Sequence, residues 1–480
     1  MPDPSPVPVP APAPDHDPTS TPKLVPAPAP ASAPDRDPAP TPMPAPVPAS
    51  VPFLVRCLRL IIAVLLLAWL LLALWHAAKP LPPGTHVVSQ TYRLPDSDVE
   101  FSYGALLHPA SAVQGATAIE HAESLIVVDR SPLTADLADA LLARKRLRPN
   151  VVMVVTTDPA NEAFGGTDAR VLNSLEQSGI IVVRARLDRL RDSNPLYSGL
   201  WRLLLGWWSD PFDERPGQVT PAAWARRQNF KADGRQLLAA DDGSGGWTVM
   251  LAPAAGAAAL TLRGALARAV IESELQIAAW SSDDDRLPAI PAADGRGVGS
   301  IDTRFLTEGA VAGALLETLR AAARGDQIGI DVDNLSERRI IAEMLRAAAR
   351  GVHLQVVLAR NAEPNRAVAA ELEAGGLGRI ELRWRAAAAV PNPALLLVRH
   401  GADLWVNWGA SGFTRRNLDD LNLAAGVELR MPARAAAARS MAGYFAQTWA
   451  RAAADPSFAD GSATAYWRYR FAEATGLSSF

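Results

Sequence analysis

The chain has 480 residues, 49% of them hydrophobic and 20% charged, enough for two or more domains with a substantial core. Lys plus Arg number 47 against 50 for Asp plus Glu, a formal net charge of −3. Residues 1–52 alone hold Lys23 and Arg36 against Asp3, Asp15, Asp17, Asp35 and Asp37, so everything after them sums to zero and no global basic field exists to favour nucleic acid.

Half of the 40 prolines lie in residues 1–52, alternating with Ala and Val. Such a segment has too few large apolar residues to offset its chain entropy, so a disordered or polyproline-like tail is expected. Leu60 to Ala78 is an almost unbroken apolar run of about the length that spans a bilayer core. Arg56 and Arg59 precede it and Lys79 follows, a weak bias that favours an amino terminus in the cytoplasm. The run is long for a cleaved signal peptide, and His76-Ala77-Ala78 is a poor cleavage site, so an uncleaved anchor is expected. The lone cysteine, Cys57, excludes a disulfide framework within one chain. The expected organisation is a tail over 1–52, a transmembrane anchor over 53–78, and two lobes over 79–300 and 301–480.

Past the stiff Pro80 to Gly84 spacer the pattern is loose until Ser124 to Asp129, which reads as a buried strand, and Leu133 to Leu147, a helix. Val151 to Val155 is a continuous apolar strand. It ends in Thr157-Asp158-Pro159-Ala160-Asn161, the kind of loop where α/β sheets place ligands. Ala169 to Gln177 reads as a helix and Ile180 to Val183 as a strand. Asn194-Pro195 forces a turn. Trp201 to Trp208 is aromatic and apolar: a packed helix on one reading, a surface that touches lipid on the other. Asn229 to Gln236 then leads into a strand from Leu237 to Ala240. Asp242-Gly243-Ser244-Gly245-Gly246 turns, with Asp241 and Asp242 read as turn residues, and Trp247 to Leu251 returns.

The second half repeats this plan. Glu308 to Arg324 and Ser336 to Arg350 read as helices, Ile328 to Val332 and Leu354 to Leu358 as strands. Asn392-Pro393-Ala394 leads into Leu395 to Val398, His400 to Asp403 turns, and Leu404 to Trp408 returns. The recurrence predicts an α/β fold of two similar lobes, each a mixed sheet covered by helices.

Asn229 to Gln236 resembles the approach to the first catalytic motif of the phospholipase D superfamily, H-x-K-x4-D, and Gly409 to Leu418 resembles the small-residue loop that closes its second. Thr157 to Asn161, Leu187 to Ser198, Pro364-Asn365-Arg366 and Arg383-Trp384 resemble a bacterial membrane-associated branch of it. The resemblance implies a phosphodiesterase or phosphatidyltransferase of phospholipase D or cardiolipin synthase type. One histidine would attack phosphorus, the other would exchange protons, and lysines with nearby Ser and Asn groups would hold the phosphate.

Carried over residue by residue, the histidine positions are Gly234 and Asn392, the lysine positions Gln236 and Ala394, and the acid positions Asp241 and Arg399. Ala252-Pro253-Ala254, Ala410 and Gly412 stand where the loop Ser and Asn belong. No nucleophile or proton-exchanging imidazole is left, so a catalytically inactive domain that binds a protein partner or a lipid headgroup is expected, without a cofactor. The candidate anion or ligand groups are Asp158, Asn161, Lys231, Arg415 and Arg416. The bland alternative has Arg416 pairing with Asp419 and Asp420. His400 is expected to be a solvated turn residue, and no histidines have metal-ligand spacing. The expected location is a bacterial inner membrane, with the main domain outside the cytoplasm.

Overall fold

The computed structural model describes residues 50–104, 110–159, 162, 166–205, 229, 231–252, 258–282, 284–289, 297–360, 362–385, 394–409 and 412–475. Nearly all of the expected tail lies outside them. So do Asn161, Ala254, Asn392 and Ala410.

The first element is a helix, α1 (Ser50–Ala78), whose Phe53–Ala78 portion is long and apolar enough to cross a membrane. After β1 (Tyr92–Leu94), β2 (Val99–Tyr103) and α2 (Ala110–His121) come β3 (Leu125–Asp129), α3 (Ala135–Leu147) and β4 (Val152–Thr157). Then follow α4 (Ala169–Gln177), β5 (Ile181–Arg184), α5 (Pro195–Leu205), β6 (Leu237–Asp241), β7 (Trp247–Leu251), β8 (Ala258–Arg263) and α6 (Leu266–Ser281). The later half runs β9 (Ile301–Thr307), α7 (Gly309–Ala321), β10 (Gln327–Val332), α8 (Arg338–Arg350), β11 (His353–Ala359), α9 (Glu363–Gly375) and β12 (Ile380–Arg385). It closes with β13 (Ala394–His400), β14 (Asp403–Gly409), α10 (Arg415–Leu418), β15 (Ala425–Pro432), α11 (Ala436–Arg451) and α12 (Ala463–Thr475).

The strands form two sheets, ordered β2-β8-β7-β6-β3-β4-β5 and β1-β9-β15-β14-β13-β10-β11-β12. Without β1 the second order repeats the first strand for strand. In both sheets the first, parallel triplet (β3-β4-β5, β10-β11-β12) is joined through helices, and an antiparallel hairpin (β6-β7, β13-β14) is laid beside it. The register repeats too: Asp129 of β3 stands opposite Leu237, and Asp331 of β10 opposite Leu395. Gly234 lies three residues before Leu237 and Asn392 three before Leu395. The two hairpins therefore occupy equivalent places in the ladders, and the expected duplicated α/β fold is what forms.

The hairpin and parallel strands are apolar on both sides because both sides are covered. In β3 and β6, Leu125, Val127, Leu237 and Ala239 point into a core shared with Leu395, Leu397, Val406 and Trp408 of the other lobe and with α6 and α11. The alternate residues, Ile126, Val128, Leu238 and Ala240, pack on the first lobe's own helices α2, α3 and α4. In the second lobe Ile328, Ile330, Leu396 and Val398 do the same against α7, α8 and α9. Trp408 Nε1 donates to the Leu251 carbonyl 3.3 Å away, and the Phe101 ring meets Trp408 edge-on at 4.9 Å, so the lobes are joined by an aromatic contact at the hairpins. The strand β1 departs from chain order. It precedes the whole first sheet yet pairs antiparallel with β9 of the second, Tyr92 opposite Thr303 and Leu94 opposite Ile301.

Candidate functional site

The segment before β6 is fastened residue by residue. Asn229 Oδ1 accepts from Ser193 Oγ and the Asn194 backbone N–H, each at 3.2 Å. Lys231 Nζ donates to the Leu190 carbonyl at 2.5 Å and to Asp192 Oδ1 at 3.0 Å. The Asp233 N–H donates to Asp158 Oδ2 at 2.9 Å, and the Gly234 N–H to the Leu423 carbonyl at 3.0 Å. Gln236 takes a left-handed backbone, φ 51, and its Nε2 donates to the Ser131 carbonyl. At the far end of β6, Asp241 accepts the backbone N–H groups of Glu123, Ser124 and Leu125 at 2.9 to 3.0 Å. Asp242 alone holds the turn, accepting from Ser244 and Gly246 at 2.9 Å each. Ala252 follows β7 as a buried residue.

Between Gly234 and Gln236, Arg235 turns inward and is fully buried. Its Nη1 donates to Glu274 Oε1 at 2.7 Å and Ser273 Oγ at 2.8 Å. Its Nη2 donates to Glu308 Oε1 at 2.7 Å and to the Gly84 carbonyl at 2.8 Å, and Nε adds a second bond to Glu308. All five guanidinium N–H groups are thereby used. Glu274 belongs to α6 and Glu308 stands at the start of α7, so one arginine ties the two lobes together. Sequence reasoning missed this residue, because it looked for the two positions flanking it.

The surroundings of Arg235 are acidic and dry. Asp129 and Asp233 are buried beside it. Burial, then the neighbouring Asp233 and Glu274 carboxylates, pushes Asp129 well above the ordinary carboxylate range. Burial and Glu274 push Asp233 up to about 8 despite Arg235. Glu308 is also raised by burial, though Arg235 draws it back. In the second lobe the matching Asp331 binds Arg385, which also reaches Asp333, and burial lifts Asp331 to about 6.

A second buried hub lies where α1 meets the domain. Asp192 accepts from Lys231, from Arg202 Nη1 at 2.5 Å and from Ser198 Oγ at 2.6 Å, and its own N–H donates to the His76 carbonyl at 3.0 Å. Burial alone would raise the Asp192 pKa, but Lys231 and Arg202 outweigh it and hold the carboxyl well below the usual range. Lys231 thus sits buried on Asp192, and Asp158 sits buried on Asp233.

The histidine position of the second motif, Asn392, lies outside the described residues. Ala394 opens β13 and is buried, and Arg399 stands opposite Leu404 near the other end of the hairpin. The Leu335–Phe413 bridge runs past Gly412, where an added Cβ would come 3.1 Å from the Asn334 carbonyl oxygen. His400 Nδ1 lies 2.8 Å from Asp326 Oδ2, and its ring stacks on Trp405 at 4.4 Å. Arg415 Nη1 donates to the Glu473 carbonyl at 2.9 Å. Arg416 is buried, and burial draws its pKa down to about 10. Asp419 turns to Arg339 and Arg415, and Asp420 to His86 and Arg191. Among the described residues no group of three His, Cys, Asp or Glu is placed to hold a metal.

No family model matches the chain, and neither does any curated protein. Among solved structures, phosphatidylserine synthase from Haemophilus influenzae superposes with a TM-score of 0.53 at 9% identity, over 76% of this chain and 89% of that one. Polyphosphate kinase from Porphyromonas gingivalis gives 0.44 at 12% identity, over 81% and 53%. Nuc from Salmonella typhimurium, a phospholipase D family member, gives 0.27 at 18% identity, over 32% and 97%. The first likeness spans both sheets and shows a shared two-lobed fold.

Proposed function

We propose that this chain, which has the phospholipase D fold, is a membrane-anchored and non-catalytic domain that binds a protein partner or a phospholipid headgroup. The observation that carries this reading is the Arg235 cluster. Phosphoryl transfer needs an open nucleophile and cationic groups facing a phosphate. Here the inward cation is spent on Glu274 and Glu308, and Asp129 and Asp233 stand beside it. A phosphodiester brought there would lose its hydration in a dry interior where the Arg235 charge is already taken by Glu274 and Glu308, so its own charge would go uncompensated. Gly234, Gln236, Asn392 and Ala394 offer no imidazole or ammonium in compensation.

Of the candidate ligand groups we place Arg415 at the ligand, since 32% of its side chain is exposed while Asp158, Lys231 and Arg416 are buried. The full chain, purified in detergent with phosphatidylglycerol, cardiolipin or a generic phosphodiester, is expected to show no turnover above a mock preparation. Turnover that follows the chain through successive columns and disappears in Asp233→Asn would overturn this.

We place the amino terminus in the cytoplasm and the two-lobed domain outside it, in a bacterial inner membrane, because Arg56 and Arg59 precede the span. A reporter active only outside the cytoplasm is expected to work when fused after Phe480. A cytoplasmic reporter working there instead would reverse the orientation.

A further inference from the structure

The helix α5 is two-sided. Ser198 and Arg202 point to the buried Asp192, whereas Leu196, Leu200 and Leu204, spaced four apart, form one exposed apolar stripe. Leu204 is 67% exposed. A leucine stripe of this kind on a helix of a water-soluble domain leaves apolar area uncovered. The helix is also held against α1. Trp69 Nε1 donates to the Leu196 carbonyl at 2.7 Å, and a Cβ on Gly199 would lie 3.3 Å from the Ala73 Cβ, so the two backbones approach closely.

These contacts fix a depth. Leu60 to Ala78 rises about 28 Å, close to the thickness of a hydrocarbon core, so Lys79 marks its outer edge. Asp192 meets α1 at His76, next to that edge, and Leu196 meets it at Trp69, roughly 10 Å further in. The chain between Asp192 and Leu196 therefore travels inward along α1, α5 begins below the edge, and it then runs back outward, with Gly199 against Ala73 and Arg202 on Asp192 beside His76. Arg202 turns its guanidinium to Asp192, as a charged group on a partly immersed helix must find a partner.

We infer that the first turns of α5 are immersed in the bilayer beside α1, with Leu196 and Leu200 against the acyl chains of the phospholipids and Leu204 at the edge. The inference rests on the membrane-anchored part of the proposed function and is independent of whether the chain is catalytic. It makes the first lobe a monotopic body seated in the lipid and not a domain hung from a tether.

The test uses the full chain in a Cys57→Ser background, in nanodiscs of phosphatidylethanolamine and phosphatidylglycerol. Single nitroxide-labelled cysteines replace Leu65, Leu200, Leu204 or Val298, the last an aqueous reference that is 97% exposed. Collisional relaxation by oxygen, which partitions into lipid, is compared with that by a water-soluble nickel chelate. At Leu65 and Leu200 the oxygen-to-nickel ratio is expected to exceed that at Val298 severalfold, with Leu204, at the edge, between Leu200 and Val298. Lipid exposure at Leu65 with a Val298-like ratio at Leu200 would overturn the immersion of α5 alone. A Val298-like ratio at Leu65 would overturn the membrane span and the immersion together. Exclusion of both reagents from Leu200 and Leu204 would show that protein, such as a second copy of this chain, covers the stripe, and would also overturn it.

Discussion

Arg235→Met is expected to destabilise the fold by about 3–5 kcal/mol, the usual cost of leaving a buried ion pair with one partner. Methionine fills the space but leaves Glu274 and Glu308 facing each other without a cation, and leaves Ser273 and the Gly84 carbonyl short of a donor. Chemical unfolding in detergent, followed by tryptophan fluorescence, measures it. Arg235→Lys is expected to recover only part of the loss, because one ammonium cannot reach acceptors on four residues in two lobes. An unchanged unfolding midpoint in the methionine variant would mean that Arg235 does not join the lobes.

Asp192→Asn is expected to have an effect of similar size, about 3–5 kcal/mol, since Lys231 and Arg202 would be left buried with no opposite charge. Its pH dependence is distinctive. The native carboxyl is held below its unfolded pKa, so its stabilisation is fully present above about pH 4 and is lost only as pH falls through the depressed value. The gap between wild type and variant is therefore expected to be the same at about pH 5 and about pH 8. Below about pH 4 the gap is expected to narrow, and a gap that stays constant down to about pH 2 would show that the carboxyl has the same pKa folded and unfolded and that the hub does not hold it.

Much of the architecture was legible because it rests on local pattern. Val151 to Val155, Leu354 to Leu358 and the two glycine-turn hairpins announce themselves through apolar runs bounded by turn residues, and they became β4, β11, β6-β7 and β13-β14. The edge strand β1 has only Tyr92, Arg93 and Leu94 to offer, and its partner lies some 200 residues away, so no local signal marks it. Charged groups were the hardest to read. Asp241 looks like a turn residue beside Asp242, yet its carboxylate binds the backbone of residues 123–125. Glu308 looks like the opening of a helix, but it adopts φ 45 and turns inward to Arg235, the His86 N–H and the Ala424 N–H. Partnerships such as Arg235 with Glu308 are set by the meeting of lobes, which no single stretch encodes. His400 was likewise readable as a turn residue and unreadable as the neighbour of Asp326 and Trp405.

The position of β1 governs how the lobes come together. Only residues 95–98 separate β1, on the second sheet, from β2, on the first. The chain joins the sheets again through α6 between β8 and β9. A loop of four residues carries little closure entropy compared with a connection of tens of residues. Once β1 has paired with β9, each sheet experiences the other at a high effective concentration, in the manner of two sites on a short linker. The tether thus adds to the shared core and to Arg235 in holding the halves together around the buried carboxyls Asp129, Asp233, Glu274 and Glu308.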